Sequence, residues 1–352
     1  MNLDLTFFLY LSSGLFLGWS LGANDAANVF GTAVGTKMVK FRTAAVITSL
    51  FVIIGAVYAG AGASQTLGQL GSVNTLPGAF MSALAAAVTV YWMVKLGLPV
   101  STSQAIVGAI IGWNLYSGKP TDLEVLSKIV STWIVCPALA AIMAVLLYFS
   151  TRFLIRKSRL HLLRQDSYTR TGLIIAGAFG AYALGANNIA NIMGVFIDSS
   201  PFKDIEFHGL QFNRTQILFF IGALAISSGV ITYSQKVIRT VGNSLMAMSP
   251  IVAWIVVVSH SLVLFVFSSQ GLQNLLTSNG LPALPLVPVS SSQAVIGAVI
   301  GVGIAKGGRG IKWSILGHIA LGWITTPIIA SLICFIALFF LQNVFNQTVY
   351  LP

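Results

Sequence analysis

Four stretches of the chain, Thr43–Ala63, Ile129–Phe149, Ile217–Ile231 and Ile324–Phe340, contain no charged side chain. A helix needs roughly 20 apolar residues to cross about 30 Å of hydrocarbon, and these stretches approach or reach that length. Barrel strands would instead read as segments of about 10 residues with alternating character. Only 8% of the 352 residues are charged, against roughly 25% in a soluble domain, which is too few to cover a water-facing surface. The fold class that follows is all-α: a polytopic membrane protein whose surroundings are the lipid bilayer. The two cysteines, Cys136 and Cys334, both lie in apolar runs and match neither a disulfide framework nor a metal spacing. They read as inert buried thiols.

The polar residues inside these runs are organised, and they are organised twice. Gly22–Gly31 (GANDAANVFG) matches Gly185–Gly194 (GANNIANIMG) at six of ten positions, and Pro99–Gly112 (PVSTSQAIVGAIIG) matches Pro288–Gly301 (PVSSSQAVIGAVIG) at ten of fourteen. Trp133–Pro137 (WIVCP) and Trp323–Pro327 (WITTP) share Trp, Ile and Pro. The offsets are 163, 189 and 190 residues, so one half was duplicated and the second copy is 26 residues longer between its first two motifs.

Each half reads as a broken helix with the first motif, two ordinary helices, a broken element with the second motif, and a last helix bent at Trp-x-x-x-Pro. That makes about five crossings per half, and an odd number turns the second copy upside down. The charges support this count. With the N-terminus outside, 15 of the 19 basic residues fall on the inner side and only Lys119, Lys128, Lys203 and Arg214 on the outer. This is the bias of the positive-inside rule, and it accounts for the net charge of +11 without a nucleic-acid partner. The expected organisation is a first repeat over residues 1–151, a basic cytoplasmic linker over 152–170 and a second repeat over 171–352. Both termini lie outside, in a plasma (inner) membrane. The linker reads as a topology anchor, with anionic lipid heads as its alternative partner. No cleavable signal peptide is expected, and a homo-oligomer is left open.

In the first motif, a helix running unbroken from Leu5 to Lys37 would be about 50 Å long at ~1.5 Å per residue. Gly22, Asn24, Asp25 and Asn28 therefore read as a break. Asp25 is the only acidic residue expected deep in the membrane, where an ionised carboxylate costs several kcal/mol unless paired. A cation or proton is its natural companion, and Asn24, Asp25 and Asn28 offer the oxygen ligands a hard cation takes. The second copy offers Asn187, Asn188 and Asn191. A Na⁺ site formed by Asp25, Asn28, Asn188 and Asn191 is one arrangement.

In the second motif, Pro99 and Pro288 suit the first turn of a helix. Ser101, Thr102, Ser103 and Gln104 follow the first, and Ser290, Ser291, Ser292 and Gln293 the second. Hydroxyls and amides beside the free N–H groups of a helix start favour an anion. Inversion would aim two such starts at one midplane point.

Other polar residues carry less. His260 and His318 are isolated in apolar sequence and read as packed or interfacial. Lys95 snorkels to the inner surface, and Trp133, Trp323, Pro137 and Pro327 serve packing and kinks. No nucleophile–base pair, phosphate loop or metal cluster is visible, so the chain is not expected to be an enzyme or to hold a cofactor beyond a coupling ion, Na⁺ or H⁺.

Both motifs, duplicated, resemble those of the inorganic phosphate transporter family, as does Lys236–Gly242 (KVIRTVG). The resemblance spans nearly the whole chain. It implies two inverted repeats and symport of inorganic phosphate with Na⁺ or H⁺. It places phosphate ligands at Ser101, Thr102, Ser103, Ser290, Ser291 and Ser292, and cation ligands at Asn24, Asp25, Asn28, Asn187, Asn188 and Asn191. Two departures stand out. Asn188 replaces the family's usual Asp, which removes one negative charge, and Gln104 and Gln293 stand where His is common. Phosphate is partly HPO₄²⁻ at neutral pH and carries a proton that needs an acceptor, which a Gln carbonyl supplies. Sulfate carries none, and a sulfate permease is the alternative reading. An anion channel with the cradles as its constriction is a further class, although it needs no intramembrane carboxylate. A scaffold without transport is the last.

Overall fold

The computed structural model describes residues 5–95, 100–158, 161–207, 210–241, 248–308 and 313–351. Within these residues the apolar runs form α1 (Leu5–Gly35), α2 (Phe41–Ala59), α3 (Ala61–Leu70), α4 (Leu76–Lys95), α5 (Thr102–Ser117) and α6 (Leu123–Ser158). The second half repeats the order with α7 (Leu162–Met193), α8 (Arg214–Thr232), α9 (Ser234–Val241), α10 (Pro250–Val266), α11 (Gln270–Ser278), α12 (Ser291–Ala305) and α13 (Trp313–Asn343). The extra length of the second copy lies in two places. One is the joint before α8, which carries the hairpin of β1 (Ile205–Phe207) and β2 (Leu210–Phe212); the other is α11 with the extended segment leading to α12. Among the described residues seven helices are long and apolar enough to cross a membrane, and α10 with α11, bent by 68°, forms an eighth candidate.

The halves are interlocked rather than side by side. α2 packs on α7 as α8 packs on α1, and α6 packs on α12 as α13 packs on α5. Phe7, near the start of α1, meets Phe202, beyond the end of α7, with ring centroids 5.6 Å apart. α1 and α7 therefore run antiparallel through the centre. α7 is mostly buried within the protein while α6 and α13 are mostly exposed. Their outward faces carry Ile134, Ile142, Leu146, Ile324, Ile328 and Leu332, an apolar surface suited to lipid rather than water.

Glycines set the closest crossings. A Cβ on Gly108 or Gly112 of α5 would overlap the carbonyl oxygens of Pro327 and Ser331 in α13, and one on Gly297 or Gly301 of α12 would overlap those of Pro137 and Ala141 in α6. Each pair is a small-x-x-x-small stripe that lets two membrane helices touch backbone to backbone. The prolines of the Trp-x-x-x-Pro motifs thus sit on the second-motif helix of the opposite half.

One expected break is absent. α1 and α7 run unbroken through the first motif. Gly22 and Gly185 serve close packing instead: their missing side chains admit the carbonyls of Ile226 in α8 and Val52 in α2. The real interruptions fall at the second motif, where extended backbone precedes α5 and α12. The basic stretch 152–170 is also less of a loop than expected, because α6 continues to Ser158 and α7 starts at Leu162, with Arg152, Arg156, Lys157, Arg164 and Arg170 exposed on these ends.

The two ends of the bundle differ in character. Tyr10 near the start of α1 donates to Gln347 Oε1 at 2.8 Å, and Trp113 Nε1 donates to Val349 O at 3.0 Å, so both described termini share one end. Arg152, Arg156 and Lys306 line one groove of about 400 Å³ at the opposite end.

A candidate cation and anion site between the paired motifs

The second-motif helices begin in the same way. Ser101 is extended (φ −105°, ψ 113°), and its side chain accepts from the Gln104 N–H; Ser290 (φ −81°, ψ 114°) does the same for Gln293, both at 3.2 Å. A serine in extended conformation that answers a first-turn donor is a standard N-cap. Pro288 therefore lies two residues ahead of the cap rather than in the first turn, and Pro99 lies outside the described residues.

The two cradles face each other and are cross-tied. Ser103 Oγ donates to Val289 O, and Ser292 Oγ donates to Val100 O, both at 3.1 Å. Extended backbone at membrane depth has no water to satisfy it, and these hydroxyls supply the missing donors. Asn187 adds a second tie: its Oδ1 accepts the Val289 N–H at 2.8 Å and its Nδ2 donates to Val287 O at 3.1 Å. Expected among the cation ligands, Asn187 has both ends of its amide engaged by the segment ahead of α12.

The first-motif helices bring their side chains onto the opposite cradles. Asn28 Nδ2 lies 3.3 Å from Asp25 Oδ1, 3.1 Å from Ser291 Oγ and 3.3 Å from Ser292 Oγ. In the other half, Asn191 Nδ2 lies 3.0 Å from Asn188 Oδ1 and 2.8 Å from Ser103 Oγ. Asn24 Nδ2 donates to Asp25 Oδ1 at 2.9 Å. The Asp25–Asn28 and Asn188–Asn191 pairs are joined through the cradles, and among the described hydrogen bonds none runs directly from one pair to the other.

All fourteen expected site residues are buried, with exposures no higher than 9%. Among the described residues no Lys or Arg pairs with Asp25, whose hydrogen bonds come from the neutral amides of Asn24 and Asn28. Thr102 Oγ1, Gln104 Oε1, Gln293 Oε1, Asn188 Nδ2 and Asn191 Oδ1 are buried without a protein partner. Buried polar groups are nearly always paired, so such a concentration at one locus suits solutes that complete it. Among the described residues no group of three His, Cys, Asp or Glu could hold a metal. Any cation here would be met by one carboxylate and amide oxygens, a hard-ion donor set.

One further residue, read from sequence as packed or interfacial, reaches the cradles. His260 of α10 is fully buried, and its Nε2 lies 2.9 Å from Ser291 Oγ, in the α12 cradle. The signal was present, because a lone ionisable residue within an apolar span is a functional candidate by default, and here it is flanked by Ser259 and Ser261. The side chains of His318, Lys236 and Arg239 lie outside the described residues, as does Gly242. Lys95 ends α4 with its Nζ over the Tyr91 ring, 5.0 Å from the centroid.

The sequence profile of the phosphate transporter family matches residues 21–169, 162–334 and 283–351. The chain belongs to the phosphate transporter family. A protein from Methanocaldococcus jannaschii named a phosphate permease is 30% identical over 336 residues, covering 96% of both chains. Another from Rhizobium meliloti, named a low-affinity inorganic phosphate transporter, is 24% identical over 92% of each. A solved structure described as the sodium-dependent phosphate transporter superposes with a TM-score of 0.74 over 96% of this chain and 98% of that one, at 20% identity. That likeness establishes the fold. The chain is a multi-pass membrane protein of a transporter family, not an enzyme.

Proposed function

We propose that this member of the phosphate transporter family is a secondary transporter that moves inorganic phosphate together with a cation, Na⁺ or H⁺, through two inverted halves. The observation that carries the reading is the shared Asn28 amide, which touches the Asp25 carboxylate and the Ser291 and Ser292 hydroxyls at once. A cation at Asp25 with the Asn24 and Asn28 oxygens would offset the buried negative charge. It would then stand within one side chain of an anion held between the α5 and α12 starts, whose dipoles favour negative charge. Without the cation, the anion would enter beside the bare Asp25 carboxylate, and two buried negative groups would stand unpaired, which costs several kcal/mol. That cost supplies the coupling: the anion is held well only when the cation is in place.

The antiparallel course of α1 and α7 and the exchanged packing of the halves support alternating exposure of one enclosed site. The names of the family and of the relatives support phosphate, and the paired Gln104 and Gln293 carbonyls supply acceptors for the proton of HPO₄²⁻. The charge bias supports a cytoplasmic placement of the basic end.

Uptake of labelled phosphate into liposomes holding the purified protein tests the reading, with unlabelled sulfate as competitor and Na⁺ replaced by choline at fixed pH. Saturable phosphate uptake driven by a Na⁺ or proton gradient supports it. Uptake that follows the anion gradient alone, at channel-like rates, rejects it, and stronger inhibition by sulfate than by phosphate moves the substrate to sulfate.

A further inference from the structure

The two cradles match in sequence but differ in what surrounds their second hydroxyl. Thr102 Oγ1, in the α5 cradle, has no partner. Ser291 Oγ, its counterpart, has two: Asn28 Nδ2 at 3.1 Å and His260 Nε2 at 2.9 Å. α4, which occupies in the first half the place of α10 in the second, contains no histidine.

A serine hydroxyl has one proton to give and two lone pairs to fill. Asn28 Nδ2 can only donate, and toward Ser291 it fills one lone pair. The role of Ser291 then depends on which nitrogen of His260 carries the proton. With the proton on Nδ1, Nε2 accepts from Ser291 and takes the only hydroxyl proton. With the proton on Nε2, the ring donates, both lone pairs of Ser291 are filled, and its proton must point to a third group. His260 Nδ1 is buried without a partner, and orphaned buried N–H donors are rarer than under-satisfied acceptors. The second tautomer is therefore the one the surroundings favour.

We infer that His260 is a positioning residue for the transported anion: it donates Nε2–H to Ser291 and so directs the Ser291 hydroxyl proton to the oxyanion. Ser103 and Ser292 give their protons to backbone carbonyls. Ser101 and Ser290 accept the Gln104 and Gln293 N–H groups and keep their protons. Of the hydroxyls with a proton still to give, Thr102 and Ser291 form one matched pair, and only Ser291 is approached by donors from neighbouring side chains. The inference rests on the anion lying between the cradles.

The test compares phosphate KM and maximal rate in liposomes for His260→Gln, His260→Asn, His260→Leu, Ser291→Ala and the His260→Leu/Ser291→Ala double variant. Gln can place an amide N–H where Nε2 stands, whereas Asn places its donor nearer the Nδ1 position. His260→Gln should keep the KM within about threefold, while His260→Asn and His260→Leu should raise it roughly tenfold, the worth of one hydrogen bond to a charged group. The double variant should be no worse than Ser291→Ala alone. Equal damage from Gln and Asn, or effects of His260→Leu and Ser291→Ala that multiply, would overturn the assignment. A Ser291→Ala protein with unchanged phosphate KM would remove the anion site itself, a failure distinguishable from that of His260 alone.

Discussion

Asn28 Nδ2 stands 3.1 Å from Ser291 Oγ, although 263 positions separate the two residues. The contact joins the first motif of one half to the second motif of the other, and its counterpart, Asn191 to Ser103 at 2.8 Å, does the same with the halves exchanged. Neither half alone holds all the residues of the proposed site. Duplication here does more than double a fold: each copy supplies the amide that reaches the other copy's hydroxyls.

The interlock predicts paired sensitivity to bulk. Gly108→Val and Gly297→Val each drive a side chain into a proline carbonyl of the opposite half, and backbone cannot move aside as a flexible side chain can. Both should abolish the folded, monodisperse protein in detergent. Gly68→Ala in α3 meets nothing within 4 Å and should leave yield intact or raise stability slightly, as Ala in place of a helical Gly gains up to about 1 kcal/mol. Size-exclusion profiles and thermal unfolding of the three variants check this.

Asn187 is expected to behave as structure rather than as a cation ligand. Asn187→Leu leaves the Val289 N–H and the Val287 carbonyl buried without partners, at about 1–3 kcal/mol for each. The unfolding midpoint should fall clearly in the absence of any ligand. The cation dependence of the transport that survives should not change. A midpoint equal to wild type, with altered cation affinity, would return Asn187 to the cation site.

The two glutamines address selectivity. Gln104 Oε1 and Gln293 Oε1 are buried acceptors without donors, and a protonated oxyanion brings the donor that a fully ionised one lacks. Gln104→Leu with Gln293→Leu should weaken phosphate uptake more than tenfold and sulfate competition much less. Equal loss for both anions would show that the pair serves packing alone.

Much of the membrane architecture was legible because it rests on local chemistry: charge-free runs give helices, and repeated motifs give repeated halves. The helix starts of the second motif were legible as well, although the caps fall at Ser101 and Ser290, beyond the prolines expected in the first turn. Three features were not legible, each for a stated reason. The unbroken course of α1 depends on Gly22 meeting the Ile226 carbonyl of α8, a tertiary contact that makes a glycine a packing residue rather than a break. Asn187 reads like Asn24 in the motif, yet it faces extended backbone whose needs only the fold reveals. His260 lies far from both motifs in sequence, and only the approach of α10 to α12 brings it to Ser291.

The central claim is that a mobile cation completes the Asp25 carboxylate and, through Asn28, strengthens the hold on the anion. Phosphate affinity of the purified protein, measured by equilibrium binding with and without Na⁺ and at two pH values, tests it most directly when wild type is set beside Asp25→Asn. The wild-type dissociation constant should fall at least tenfold on adding the coupling cation, about 1.4 kcal/mol of linkage, and the Asp25→Asn value should not respond. An Asp25→Asn protein whose phosphate affinity still responds to the cation as wild type does would contradict the account.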